Sequence, residues 1–179
     1  MSNVVLIGMP GVGKSTVGVI LAKVLGYHFV DADILIQEQE DRLLREIIEE
    51  DGVDGFIEIE NRVNSRIQEE NAVIATGGSV VYGKEAMENL SRIGTVIYLQ
   101  LDYELLSERL GDLKGRGVVL REGQTLLNLF DERTPLYDKY ADIVVNEAGL
   151  TVEETLDAVV EGLKKLGIAP GDRSKRRKK

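Results

Sequence analysis

The sequence predicts an α/β fold in three layers, a five-stranded parallel sheet with helices on both faces. Three observations carry this. Short apolar, β-branched runs alternate with stretches of helical periodicity. The runs are apolar throughout instead of alternating with polar residues, as strands buried on both faces are. The chain has 179 residues, 43% hydrophobic and 30% charged, which suits one domain with a full core.

The elements follow in order. Val4 to Ile7 read as a first buried strand, ended by Gly8. Val17, Ile20, Leu21, Val24 and Leu25 recur at helical spacing, so a helix begins near Ser15. "YHFVDAD" is a strand ending at Asp31. Residues 34–49 and 55–69 read as two helices separated by "EDGVDG". "AVIAT" (72–76) is a third strand running into Gly77 and Gly78, and 83–90 a short helix. "TVIYLQL" (95–101) is a fourth strand, followed by a helix through "YELLSERL". Residues 110–124 hold glycines and charges without a period and read as a mobile surface loop. A helix around 125–132 is expected to end before Pro135. "ADIVVN" (141–146) is the fifth strand, and 151–165 a last helix with Thr151 and Glu154 as a capping box. The expected organisation is a single domain over 1–167, with a lid at about 110–124 and a basic, disordered tail over 168–179.

Composition narrows the function. The formal net charge is -9, yet the tail "DRSKRRKK" carries +5, which leaves -14 on residues 1–171. An acidic body argues against a broad nucleic-acid surface, and the scattered aromatics offer no stacking platform for single strands. The absence of cysteine removes disulfide and thiolate chemistry. No run reaches membrane-spanning length, and the chain enters a core strand at Val4 with no room for a leader; a cytoplasmic monomer is expected. His28, the one histidine, reads as a surface or packing residue.

The chemistry begins with "VVLIGMPGVGKST" (4–16). From Gly8 the spacing is G-x-x-x-x-G-K-S, which fixes Gly8, Gly13, Lys14 and Ser15. Such a loop, with Gly11, Val12 and Thr16 completing it, aims backbone N–H groups at the phosphates of a nucleotide. Lys14 would reach the β- and γ-phosphates, and Ser15 would sit on Mg²⁺. The helix that follows presents its positive end to the anion. ATP and Mg²⁺ are the expected partners.

In parallel sheets ligands gather at the carboxyl ends of the strands. Asp31, Asp33 and the segment Thr76 to Ser79 all fall there, beside the phosphate loop. Asp31 is placed to hold the metal, directly or through water. Asp33 is placed to accept a proton from an acceptor hydroxyl or to hold that hydroxyl in line, with a helix-capping role compatible with either. Phosphoryl transfer also needs cations for the developing charge, and Arg133 in "DERTPLY" and Arg116 in the glycine-flanked loop are the candidates.

Taken together, "GMPGVGKSTVG", "FVDAD", "EEDGVDGFIEIE", "VIATGGSVV", "VIYL" and "ERTPLY" resemble the bacterial shikimate kinases in order and spacing, from about residue 3 to 165. The resemblance implies a P-loop kinase fold, ATP with Mg²⁺, and phosphorylation of a hydroxyl on a small carboxylic acid of aromatic amino-acid synthesis. It implies that Asp33 holds the acceptor hydroxyls, that Gly77 and Gly78 offer backbone contacts, and that Arg133 pairs with the substrate carboxylate. Arg116 would belong to the lid over ATP, and Arg109 would lie near the adenine.

Two departures bear on the acceptor. Where the family reads F-R-x-x-E, with an arginine that grips the carboxylate, this chain reads "FIEIE", so that Ile57 stands at the arginine position. Losing one charge-assisted hydrogen-bonding group costs on the order of 1.5–3 kcal/mol. Ser79 replaces the third glycine of G-G-G and adds a hydroxyl at the crevice; the lid reads "GRGVV" where R-P-L is expected. Three readings stay open at this point. One is a shikimate kinase that draws its second cation from elsewhere, for example Arg62. Another is a related kinase for homoserine or a sugar acid, and the third is a nucleotide-binding regulator without an acceptor.

Overall fold

The computed structural model describes residues 3–111, 118 and 120–168. Five strands form one parallel sheet in the order β2-β3-β1-β4-β5: β1 (Asn3–Ile7), β2 (His28–Asp31), β3 (Ala72–Ala75), β4 (Gly94–Gln100) and β5 (Ile143–Asn146). Register runs Val5 against Ile74 on one side of β1 and against Val96 on the other. Every side chain of β1 and β3 is buried, which is why these strands read as unbroken apolar runs.

The helices are α1 (Lys14–Leu25), α2 (Ala32–Glu40), α3 (Leu44–Ser65), α4 (Lys84–Ile93), α5 (Tyr103–Leu110), α6 (Leu126–Tyr140) and α7 (Val152–Lys165), with a 3₁₀ turn at Val80–Tyr82. Thr151 and Glu154 form the expected capping box at the start of α7. A second, smaller apolar cluster of Ile36, Ile47, Phe56, Ile59 and Val63 joins α2 to α3, apart from the core around the sheet.

Three boundaries differ from the sequence reading. The run 34–49 is broken at Asp41, whose φ of 51° stops α2, and α3 starts at Leu44. The break expected at "EDGVDG" is present but shorter than six residues: it is confined to Gly52, whose φ of 74° and ψ of 178° are non-helical and kink α3 between two helical halves. The helix expected to end before Pro135 continues to Tyr140 with Pro135 inside it. Proline removes one backbone N–H and crowds the preceding turn. Full burial of Tyr137 on the core side of α6, and its stacking on Tyr98 with centroids 5.0 Å apart, offset that loss.

Candidate active site

β1 continues into the phosphate loop. Gly8 passes so close to β4 that a Cβ on it would lie 2.6 Å from the Leu99 carbonyl oxygen, so only glycine fits. Gly13 caps α1 at φ 91°, a left-handed conformation, and the helix starts at Lys14. Gly11, Gly13, Lys14, Ser15 and Thr16 line a cavity of about 300 Å³. Val12 turns its side chain into the core and leaves only its backbone to the loop. Lys14 Nζ donates to the carbonyls of Gly8 (2.7 Å) and Met9 (2.9 Å), and burial lowers its pKa to about 8. A desolvated ammonium at a helix N-terminus is poised for a polyanion.

The predicted metal pair meets: Ser15 Oγ donates to Asp31 Oδ2 at 3.2 Å. The other oxygen of Asp31 accepts from the N–H groups of Asp33 (3.0 Å) and Ile34 (3.3 Å), so Asp31 is the N-cap of α2. That leaves Asp33 in the first turn with its carboxylate free for the crevice. Two protein oxygens are few for calcium but suit Mg²⁺, which keeps most of its waters and takes the rest from phosphates. Burial, then the neighbouring Asp31, raises the pKa of Asp33, which makes its carboxylate a better proton acceptor.

A second cavity, of about 360 Å³, adjoins the first. Asp33, Pro10 and Arg133 line it together with Gly77, Gly78 and Ser79, small residues that form its floor: a Cβ on Gly77 would meet Asp33 and Glu60, and one on Gly78 would meet Pro10 and Arg133. Leu44, Arg45, Ile48, Phe56 and Glu60 come from α3, and Val118 and Leu120 complete the lining. Pro10, Asp33, Gly77 and Gly78 line both cavities. The phosphate site and the second cavity therefore meet at Asp33.

Each wall has a structural cause. The Tyr137 hydroxyl donates to the Gly78 carbonyl at 2.6 Å, and Arg133, one turn earlier on α6, is carried into the same crevice. Its guanidinium sits 5.4 Å over the Tyr82 ring, with Nε donating to the Tyr82 hydroxyl at 3.3 Å. Arg133 is buried and forms no ion pair among the described residues, so it holds a positive charge ready for an anion. Thr76, by contrast, is committed to structure: its hydroxyl donates to the Leu6 carbonyl at 2.8 Å and ties β3 to β1.

The two departures resolve differently. Ser79 does not add a free hydroxyl; it donates to Glu60 Oε1 at 2.5 Å. The other oxygen of Glu60 is buried without a partner among the described residues, and burial raises the carboxyl to about 7. Ile57 is half-buried on α3 and does not line the second cavity. Nor does Arg62 replace the missing cation: it pairs with Glu40, away from the cavity. Glu60, Arg45 and Tyr82 are site residues that the sequence reading gave no role. Only Glu60 had a signal, its place in "FIEIE".

Arg109, at the end of α5, lies 3.9 Å from Glu147, a carboxyl that burial raises to about 7. Arg116 and the rest of 112–117, together with residue 119 of the expected lid and the basic tail beyond 168, lie outside the described residues. His28 is exposed beside Glu69 at 2.7 Å, a surface residue as expected.

A phosphate loop feeding a buried lysine, a serine–aspartate pair beside it, and an adjoining cavity with an acid and an arginine define a P-loop kinase for a small molecule. The family model described as "Shikimate kinase" matches residues 10–164. The chain is 37% identical to the shikimate kinase of Clostridium botulinum (strain Loch Maree / Type A3) over 170 residues, 92% of this chain and 98% of the relative. The shikimate kinase of Acinetobacter baumannii, solved in complex with shikimate, superposes with a TM-score of 0.84 at 29% identity, covering 93% of this chain and 94% of that one. The shikimate kinase of Aquifex aeolicus gives 0.78 at 32% identity, covering 93% and 98%. The chain belongs to the shikimate kinase family, ATP-dependent kinases that use Mg²⁺. Among the described residues no helix is long and apolar enough to cross a membrane.

Proposed function

We propose that this protein transfers the γ-phosphoryl group of ATP to a hydroxyl of shikimate, giving shikimate 3-phosphate. The observation that carries this reading is the junction of the two cavities at Asp33, Gly77 and Gly78. An acceptor in the second cavity has its hydroxyl beside Asp33 and faces the phosphate loop, the positioning that phosphoryl transfer chiefly requires. Membership of the family, and a shikimate-bound relative that superposes over nearly the whole chain, support shikimate over homoserine or a sugar acid.

In this reading the acceptor oxygen bonds to the γ-phosphorus as the bond from that phosphorus to the β,γ-bridging oxygen breaks, and ADP leaves. Asp33 takes or orients the hydroxyl proton. Lys14 and the loop N–H groups hold the phosphates, and Arg133 pairs with the substrate carboxylate. Ser15 and Asp31 would hold Mg²⁺, which would supply positive charge against the phosphates. Gly77 and Gly78 give backbone contacts to the acceptor, and Arg109 lies toward the base of the nucleotide. In the same reading the protein acts as a monomer, in the cytoplasmic setting that dependence on ATP supports. The test is steady-state ADP release with ATP, Mg²⁺ and shikimate. Turnover that needs all three supports the assignment, and no shikimate-dependent release refutes it.

A further inference from the structure

We propose that Arg45 is the second cation of the acceptor cavity, pairing with the substrate carboxylate that Arg133 binds from within. This rests on the reading that the acceptor is shikimate, an acid.

The argument begins with a charge in an unusual place. Arg45 is the second residue of α3, where the helix end is positive and a cation is disfavoured. The segment around it is rich in acids, yet none of them forms an ion pair with it among the described residues. Glu40, Glu50 and Asp51 all pair with Arg42, and Glu46 accepts from the Leu43 N–H at 2.7 Å as part of the cap. Arg42 thus gathers three carboxylates. Arg45, three residues further on, has no ion pair among the described residues. It lies instead along the cavity wall between Leu44 and Ile48.

That placement suits an anion in the cavity. Apolar neighbours strengthen a charge pair by excluding water, and a planar guanidinium matches a carboxylate in two parallel hydrogen bonds. The described part of the cavity holds two acids, Asp33 and Glu60, and two cations, Arg133 and Arg45. Ile57 does not line it, and Arg62 is held by Glu40.

The test compares wild type, Arg45→Met and Arg45→Lys. Arg45→Met is expected to raise the KM for shikimate about tenfold, with kcat and the KM for ATP changed less than about twofold. Arg45→Lys should fall between, because lysine keeps the charge but not the fork. The apparent affinity for shikimate methyl ester, as substrate or competitive inhibitor, should be unaffected by Arg45→Met. The KM for shikimate should rise with salt in wild type and less so in Arg45→Met, since the pair is partly exposed. A shikimate KM within twofold of wild type, or an equal loss for acid and ester, overturns the assignment while leaving the kinase reading intact. Wild-type protein that does not phosphorylate shikimate overturns both.

Discussion

Ser79 Oγ lies 2.5 Å from Glu60 Oε1, and the other oxygen of that carboxyl is buried against the backbone of Gly77 with no partner among the described residues. One neutral donor does not compensate the burial of a carboxylate, so the proton affinity of Glu60 rises to about 7. Folding thus favours protonated Glu60. That contribution is complete below about pH 4.5, the value of an exposed glutamate, and is lost as pH rises through 7.

Glu60→Gln keeps the shape and the Ser79 hydrogen bond and cannot ionise. At pH 8 it should be more stable than wild type, by up to about 3 kcal/mol. At pH 5 the two should be nearly equal. Urea unfolding at both pH values measures this. Glu147, raised to about 7 by burial, adds a slope of the same sign that survives in the variant. An unchanged slope in Glu60→Gln would remove the burial argument.

Lys14 carries a prediction about protons. Burial lowers its pKa to about 8, and the phosphates of ATP favour its charged form. Nucleotide binding at pH 8 should therefore take up protons, seen in calorimetry as a dependence of the binding heat on buffer ionisation enthalpy. Lys14→Met should abolish both this uptake and turnover while leaving the protein folded. Near wild-type turnover in Lys14→Met would overturn the assignment of the phosphate loop.

Asp33→Asn removes the charge at the junction of the cavities and keeps the shape. Turnover should fall by about 10²-fold or more, with ATP affinity little changed. The opposite split, weak ATP binding with turnover preserved at saturating ATP, would give Asp33 the metal role assigned to Asp31.

Gly78→Ala should injure acceptor use more than ATP binding. A Cβ there would lie 2.8 Å from Pro10 Cδ and 2.9 Å from Arg133 Nη1, so the arginine or the loop must shift. Because Gly78 and Pro10 line both cavities, both constants should worsen, but the KM for shikimate, which needs Arg133, should rise several-fold more than the KM for ATP. A larger loss for ATP than for shikimate would mean that Gly78 serves chiefly the nucleotide.

The phosphate side was legible because it is contiguous: a strand, a loop of fixed spacing and a helix occupy residues 3–25, and local chemistry dictates their geometry. Asp31 and Asp33 were legible because they end a strand in a parallel sheet, although which of them caps α2 was settled only by the backbone at 31–34. The acceptor side was not legible in the same way. It is assembled from α3 and α6, where the rotation of each helix about its axis decides which residues face the cavity. Arg45 faces in while Arg42 and Ile57 do not, a difference set by the Asp41 turn, which spacing alone did not locate, and the Gly52 kink, which it located only to within six residues. Pro135 misled for a related reason: its local penalty is offset by the burial and stacking of Tyr137 in the next half-turn, a tertiary contact that spacing does not show.

The central claim is the identity of the acceptor, and a competition experiment tests it most directly. The wild-type protein is given limiting ATP with Mg²⁺ and equal concentrations of shikimate, homoserine and gluconate, and the phosphorylated products are separated and quantified by mass spectrometry. The ratio of products reports the ratio of kcat/KM values, and a cavity with Asp33 for hydroxyls and Arg133 with Arg45 for the carboxylate should favour shikimate by about 10²-fold or more. Phosphohomoserine or phosphogluconate as the main product, or consumption of ATP with none of the three phosphorylated, would contradict the account.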